Sequence, residues 1–372
     1  MGVCGSDVHF YAHGGVGSDQ RKYAQYFVGQ AREKDGAVRD EKGVGGDFEG
    51  LVMGHEASAT VVRVGAEVDD LKEGDRVAVE PGVPCGKCAR CADGRYNLCF
   101  DMRFAASFHE SVEDGKVVMR STPGMLCKYF VLPERLCYKL PGHVGLDEGV
   151  LIEPLAVGVH AVRLAGVSAD LGHGNVVISG AGTIGLVSAA VSCAFGARRV
   201  VLVDVNEKRL EFAKKWLGSD GGAAQRAGVE VRTFVSRMDV DAAANAARLK
   251  AESELDIGAD IVLEASGVSS AIALGVYVLR TGGHMVQTGL SKSALMKDFP
   301  IVDLSEKEIH LHGAFRYGAG DFEVAQDLVS RGLVGKVKEL INEVFEFKNY
   351  ESAWEATREG KGIKNLIRGP QD

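Results

Sequence analysis

The chain has 372 residues, enough for about two domains, and its 46% hydrophobic and 25% charged composition supplies a sizeable core. A net charge of -8 with no Lys/Arg-rich run argues against a nucleic-acid partner. No stretch reaches the ~20 uninterrupted apolar residues of a membrane span, so no membrane role is expected.

The opening MGVCGSDVHF has neither the basic start nor the apolar run of a secretory leader. Eight cysteines in that setting point to a reducing compartment, and we expect a cytoplasmic protein. Residues 18–50 read as an exposed loop or a disordered insertion. ASATVVRVG (57–65) and DRVAVEPG (75–82) read as strands bounded by polar turns, as does MLCKYFVLPERLCYKLP (125–141). Residues 107–122 look polar and irregular. LDEGVLIEPLAVGVHAVRLAG (146–166) has helical spacing with an interruption near Pro154. A βαβ rhythm follows: NVVISGAG a buried strand, TIGLVSAAVSCAFG a helix, RRVVLVDV a strand, EKRLEFAKKWLG a helix. After a second irregular stretch at 218–229 come the strands ADIVLEASG, GGHMVQTG and IHLHGAF. FEVAQDLVSRG and YESAWEATREG read as the closing helices.

Cys85, Cys88, Cys91 and Cys99 stand in C-x2-C-x2-C-x7-C spacing, with Pro84, Gly86 and Gly94 favouring a tight loop. Four thiolates so close can wrap one tetrahedral zinc. Such a closed site argues for structure rather than chemistry. An incidental cluster of thiols is the competing reading, disfavoured because four cysteines in one short loop are costly in a reducing compartment.

Gly180, Gly182 and Gly185 form G-x-G-x-x-G between a predicted strand and a predicted helix. The pattern alone is weak, but here its order is right. The first glycine allows a tight turn, the second lets backbone approach a pyrophosphate, and the third lets helix pack on strand. The helix start at Thr183 and Ile184 offers N–H groups to phosphate. Asp204, closing VVLVD, would accept hydrogen bonds from ribose hydroxyls and repel a 2′-phosphate, so NAD is expected over NADP.

CGSD, GHE and EP place a thiolate at Cys4, an imidazole at His55 and carboxylates at Glu56 and Glu153. Each motif alone is unremarkable. Together, upstream of a dinucleotide loop, they suit a catalytic zinc with an open coordination position. With the four-cysteine loop, EPLAVGVHA, GAGTIG and VDVNEKRLEFAKK, the chain resembles the zinc-dependent medium-chain dehydrogenases. GAFRYGAGDF, YNLCFDMRFAA and GKGIKNLIRGP resemble the fungal polyol branch, and Glu153 stands where alcohol dehydrogenases of the family carry a cysteine ligand.

The resemblance implies a Rossmann doubly wound parallel sheet (154–314) and a GroES-like, partly open β-barrel catalytic domain (1–153 and 315–372). It implies that Cys4, His55 and Glu56 hold the catalytic zinc, that Glu153 sits beside it, and that Ser6 relays the proton. Arg316 and Tyr317 would hydrogen-bond the substrate hydroxyls, and Arg209 would lie with the cofactor. The implied activity is NAD-linked oxidation of xylitol at C2, with sorbitol or L-arabinitol as alternative substrates and a homotetramer as the assembly. A zinc-stabilised NAD-binding protein without turnover is the alternative from another class. The chain departs from the family in four places, one of them a longer loop after RFAA. The strands that lead into CGSD are absent, so Cys4 is expected to lack support. The segment 10–53 is long. Phe10 stands where many relatives have a tyrosine near the substrate.

Overall fold

The computed structural model describes residues 1–13, 51–113, 116–166, 174–291 and 295–370. Helix α1 (Gly5–His13) precedes short antiparallel strands. β1 (Ala57–Thr60) pairs with β2 (Arg76–Val79), β3 (Gly82–Val83) with β4 (Arg103–Phe104) around the short helix α2 (Ala89–Ala92), and β5 (Ser107–Glu113) with β6 (Lys116–Thr122). β7 (Cys137–Lys139) adds to the other side of β2. Val77 and Val79 face a small core with Ala57, Ala105 and Met125, while Ala78 faces the main core. β2 is therefore covered on both faces, which explains why its sequence is apolar without alternation.

Helices α3 (Leu146–Gly149) and α4 (Ile152–Leu164) lead into the larger layer. There the chain alternates: β8 (Asn175–Ser179), α5 (Thr183–Ala194), β9 (Arg199–Asp204), α6 (Glu207–Gly218), α7 (Ala223–Ala227), β10 (Glu230–Val235), α8 (Ala242–Glu252), β11 (Ala259–Glu264), α9 (Ser269–Val278), β12 (Leu279–Gln287), α10 (Ile301–Glu306), β13 (His310–Gly313). The six strands lie parallel in the order β10-β9-β8-β11-β12-β13. Strand order reverses beside β8, so a crevice opens at the carboxyl end of β8, where the glycine loop begins. Helices cover both faces: Leu186, Val187 and Ala190 belong to one buried cluster, and Leu249, Leu274 and Val278 to another. This is the α/β Rossmann layer, and the strand-rich part is the GroES-like layer.

The chain then adds α11 (Asp321–Ser330), β14 (Ile341–Phe345), α12 (Tyr350–Arg358) and β15 (Lys364–Ile367). Gly2 bridges Glu56 on one side and Leu366 of β15 on the other. Val3, Val8, Trp354 and Ile367 form a core of their own at this junction.

Five expectations need correction. Residues 107–113 and 116–122 pair as antiparallel strands, because pairs such as Ser107↔Thr122 and Ser111↔Val118 supply the regularity that a polar composition hides. Within 218–229, α7 forms and ends at Gly228 in a left-handed cap. Only Cys137–Lys139 of the predicted strand region 125–141 pairs as strand. The expected helical break falls at Val150–Leu151, and Pro154 sits in the first turn of α4, where its missing N–H costs no bond. Cys4 does not lack support either: Gly2 N–H donates to Glu56 O (2.8 Å) and Val3 N–H to Asn365 O (2.9 Å), so the start of the chain is pinned between two segments. The stretch 18–50 lies outside the described residues.

Candidate active site

Two remote pieces of chain meet at Cys4. Their ligand atoms, on Cys4, His55 and Glu56, lie within 4.8 Å of one another. Local geometry explains the CGSD spacing. Cys4 caps α1, and Asp7, three residues on, reaches back so that its Oδ2 accepts the Cys4 N–H at 3.0 Å. The other oxygen of Asp7 lies 3.3 Å from His55 Nδ1. One buried carboxylate thus closes the helix and engages one ring nitrogen of His55. That leaves Nε2 as the ring nitrogen not engaged by Asp7, the arrangement a metal-ligating histidine needs. Burial alone would lower the pKa of His55, but Asp7, joined by Cys4, holds it well above the usual value.

Glu56 is not a free ligand. Lys364, on β15, sets its Nζ 2.8 and 2.7 Å from the two carboxylate oxygens of Glu56, and both side chains are about 97% buried or more. Ligation by Glu56 therefore requires its carboxylate to share or leave this lysine. Burial opposes the charge of Lys364, yet Glu56 and Cys4 keep its pKa raised.

Glu153 lies in the first turn of α4 and is buried. Burial pushes its carboxyl up to about 7, against the opposing influence of His55. The Tyr317 hydroxyl faces Glu153 but makes no hydrogen bond of normal geometry, an orphaned buried polar atom beside the site. Arg316 lays its guanidinium over the Phe104 ring (3.7 Å to the centroid), and Phe104 in turn lies 5.7 Å from the His55 ring. Arg316 adopts φ +57°, a left-handed conformation uncommon for a residue with a Cβ. Ser6 is half-buried in the first turn of α1, two residues from Cys4, and Phe10 packs against Phe108. Cys4, Ser6, His55, Glu56, Glu153, Arg316 and Tyr317 therefore gather in one region.

The four thiols of Cys85, Cys88, Cys91 and Cys99 also lie within 4.8 Å of one another. Backbone N–H groups of Lys87 and Cys88 point at Cys85 and lower its pKa to about 6, while burial pushes Cys99 up to about 12. A donor set of four soft thiols on a tight loop fits a closed zinc site.

At the dinucleotide loop, Gly180 has φ +98°, and a Cβ on Gly185 would lie 1.8 Å from the Gly180 carbonyl oxygen. Around Gly182 there is open space. These are the turn, helix-packing and approach roles read from the sequence. Thr183 and Ile184 form the first turn of α5, and the Thr183 hydroxyl donates to Ile363 O at 2.7 Å. Asp204 accepts from Ala181 N–H (2.7 Å) and Asn206 N–H (2.8 Å), which brace the loop and leave lone pairs for a ribose. Arg209 reaches from α6 to the Gly360 carbonyl at 3.4 Å. The cradle fits a dinucleotide.

Sequence reasoning assigned no role to Asp7, Lys364 or Phe104. For Asp7 a local signal existed, its three-residue spacing from Cys4. Lys364 and Phe104 join the site only through tertiary contacts and left no local signal.

The alcohol dehydrogenase GroES-like domain family matches residues 1–142, and the zinc-binding dehydrogenase family matches residues 183–331. The chain is 42% identical over 371 residues to a probable D-xylulose reductase A of Aspergillus terreus, spanning 99% of this chain and 88% of that protein. It is 41% identical over 371 residues to D-xylulose reductase A of Aspergillus niger, spanning 99% and 87%. Among solved structures, an Escherichia coli oxidoreductase/dehydrogenase of unknown specificity, ECK1772, superposes with a TM-score of 0.75 at 30% identity, covering 100% of this chain and 90% of that one. E. coli galactitol-1-phosphate dehydrogenase has the same fold, with a TM-score of 0.73 at 24% identity and coverage of 99% and 90%. With both sites assembled and relatives matched along nearly its whole length, the chain belongs to the zinc-dependent medium-chain dehydrogenases, in the branch that includes the D-xylulose reductases.

Proposed function

We propose that this protein is an NAD-dependent zinc polyol dehydrogenase that interconverts xylitol and D-xylulose by hydride transfer at C2. One observation carries the reading: Cys4, His55 and Glu56 converge beside Glu153 in a chain 42% identical to a D-xylulose reductase. When bound, a zinc ion would supply Lewis acidity that eases loss of the C2 hydroxyl proton, and NAD would accept the hydride.

The chain's own residues do the rest. Asp7 fixes the His55 ring so that Nε2 stays available. Ser6, in the first turn of α1, takes the proton that leaves the C2 hydroxyl. Glu153, with a carboxyl pKa of about 7, can hold or release a proton near neutral pH. Arg316 donates to the remaining polyol hydroxyls, and the unpartnered Tyr317 hydroxyl is a further donor or acceptor for them. Gly180, Gly182 and Gly185 seat the pyrophosphate. Asp204 accepts from the adenosine ribose and disfavours a 2′-phosphate.

The test is steady-state NADH formation by zinc-loaded protein. The expected result is a higher kcat/KM for xylitol with NAD than for sorbitol or L-arabinitol, and far lower activity with NADP. A ranking led by sorbitol or L-arabinitol moves the assignment within the branch. No NADH from any polyol leaves the non-catalytic NAD-binding protein as the better reading.

A further inference from the structure

The segment that carries Arg316 and Tyr317 is clamped to the four-cysteine loop. Asn97 is buried, and its Nδ2 donates to Phe315 O at 2.8 Å, one residue before Arg316. The Ala319 N–H donates to Gly94 O at 2.9 Å. From the other side, the buried carboxylate of Asp321 accepts from Gly318 N–H (2.7 Å), Arg163 Nη1 (2.7 Å) and the His160 ring (2.7 Å). A Cβ on Gly318 would lie 3.1 Å from Gly94 O, so the two loops touch backbone to backbone. Between these clamps Arg316 holds φ +57° with its guanidinium over Phe104. A left-handed non-glycine residue costs free energy and persists only where its surroundings fix it.

We propose that Asn97 is a positioning residue for the substrate-facing loop. By holding the Phe315 carbonyl it keeps Arg316 in its left-handed conformation over Phe104, aimed at the region of His55. The four-cysteine loop then has a role beyond stability: the stretch 94–97, between Cys91 and Cys99, sets substrate affinity from outside the reacting centre. This inference rests on the reading of Arg316 as a polyol contact.

The experiment compares xylitol and NAD kinetics in zinc-loaded wild type, Asn97→Ala, Gly318→Ala and Arg316→Ala, with amide hydrogen exchange at 314–320. Gly318→Ala wedges the same loop contact without altering Asn97, and it serves if Asn97→Ala does not fold. Losing one hydrogen bond should raise KM for xylitol roughly 3- to 10-fold in Asn97→Ala. Gly318→Ala should shift KM in the same direction. KM for NAD should stay put, kcat should stay within about twofold, and exchange at 314–320 should quicken. If Arg316→Ala raises KM while Asn97→Ala and Gly318→Ala leave both KM and exchange unchanged, the inference fails alone. If Arg316→Ala itself leaves KM unchanged, the reading of Arg316 fails and the inference with it.

Discussion

The two clusters of metal-type ligands are built on opposite plans. Cys85, Cys88, Cys91 and Cys99 come from one loop, carry one donor type, and are mostly only half-buried. Cys4, His55 and Glu56 come from segments that meet only in the fold, mix three donor types, and have a buried lysine on the carboxylate. A closed set of like thiolates holds a loop together. A mixed, largely buried set with a competing lysine leaves room for a changing coordination sphere, which chemistry requires. The contrast also places the weak point of each: the loop depends on its metal, the buried site on the tertiary contacts that assemble it.

The largest effect should come from setting the two thiols against each other. Cys4→Ser should abolish polyol oxidation while NADH binding, followed by fluorescence titration, stays near wild type. The glycine loop of the Rossmann layer does not depend on Cys4. Cys88→Ala should instead lower the unfolding temperature, since a structural thiolate site contributes folding free energy directly. If Cys4→Ser retained full turnover, or Cys88→Ala matched wild-type stability with all four thiols alkylated in the parent protein, the contrast would collapse.

A smaller but clean effect should appear at Lys364. Lys364→Met removes the partner of a fully buried carboxylate. Breaking a buried pair from one side costs about 3–5 kcal/mol, because the remaining charge is uncompensated. Urea unfolding should show this loss in chelator. Added zinc should recover part of it, since Glu56 would then have another cation to face. An equal loss with and without zinc would mean that Glu56 belongs to the ion pair alone.

The same contrast explains what was legible. The four-cysteine loop could be read directly because all its information lies in fifteen residues. The βαβ rhythm was equally open, since parallel strands buried on both faces leave runs such as VVLVD between amphipathic helices. The pairing of 107–113 with 116–122 was missed, because its Glu, His and Lys content obscured the strand pattern. EVRTFV, which became β10, and the helix after CGSD were missed as well. Lys364, Phe104 and Asn97 left no local trace. Their partners are remote in the sequence, and only the closed fold pairs them.

The mildest test asks whether Asp7 serves the buried cluster alone. Its two oxygens do separate jobs, one on the Cys4 N–H at 3.0 Å and the other on the His55 ring at 3.3 Å. Asp7→Asn preserves the shape but offers one acceptor where two donors converge, and it turns an N–H toward one of them. Outer-shell partners of metal-ligating histidines typically contribute about 10- to 100-fold in metal affinity. The four-cysteine loop shares no hydrogen bond with Asp7 among the described residues, so its metal should be held as before. A graded chelator titration should therefore release one zinc from Asp7→Asn at a concentration that leaves wild type intact, with the second zinc released at the wild-type concentration. Turnover should fall in step with the first loss and return on adding zinc. Release of both zincs together would show that the sites are coupled through the fold. Release of neither would show that Asp7 matters for capping α1 and not for the metal.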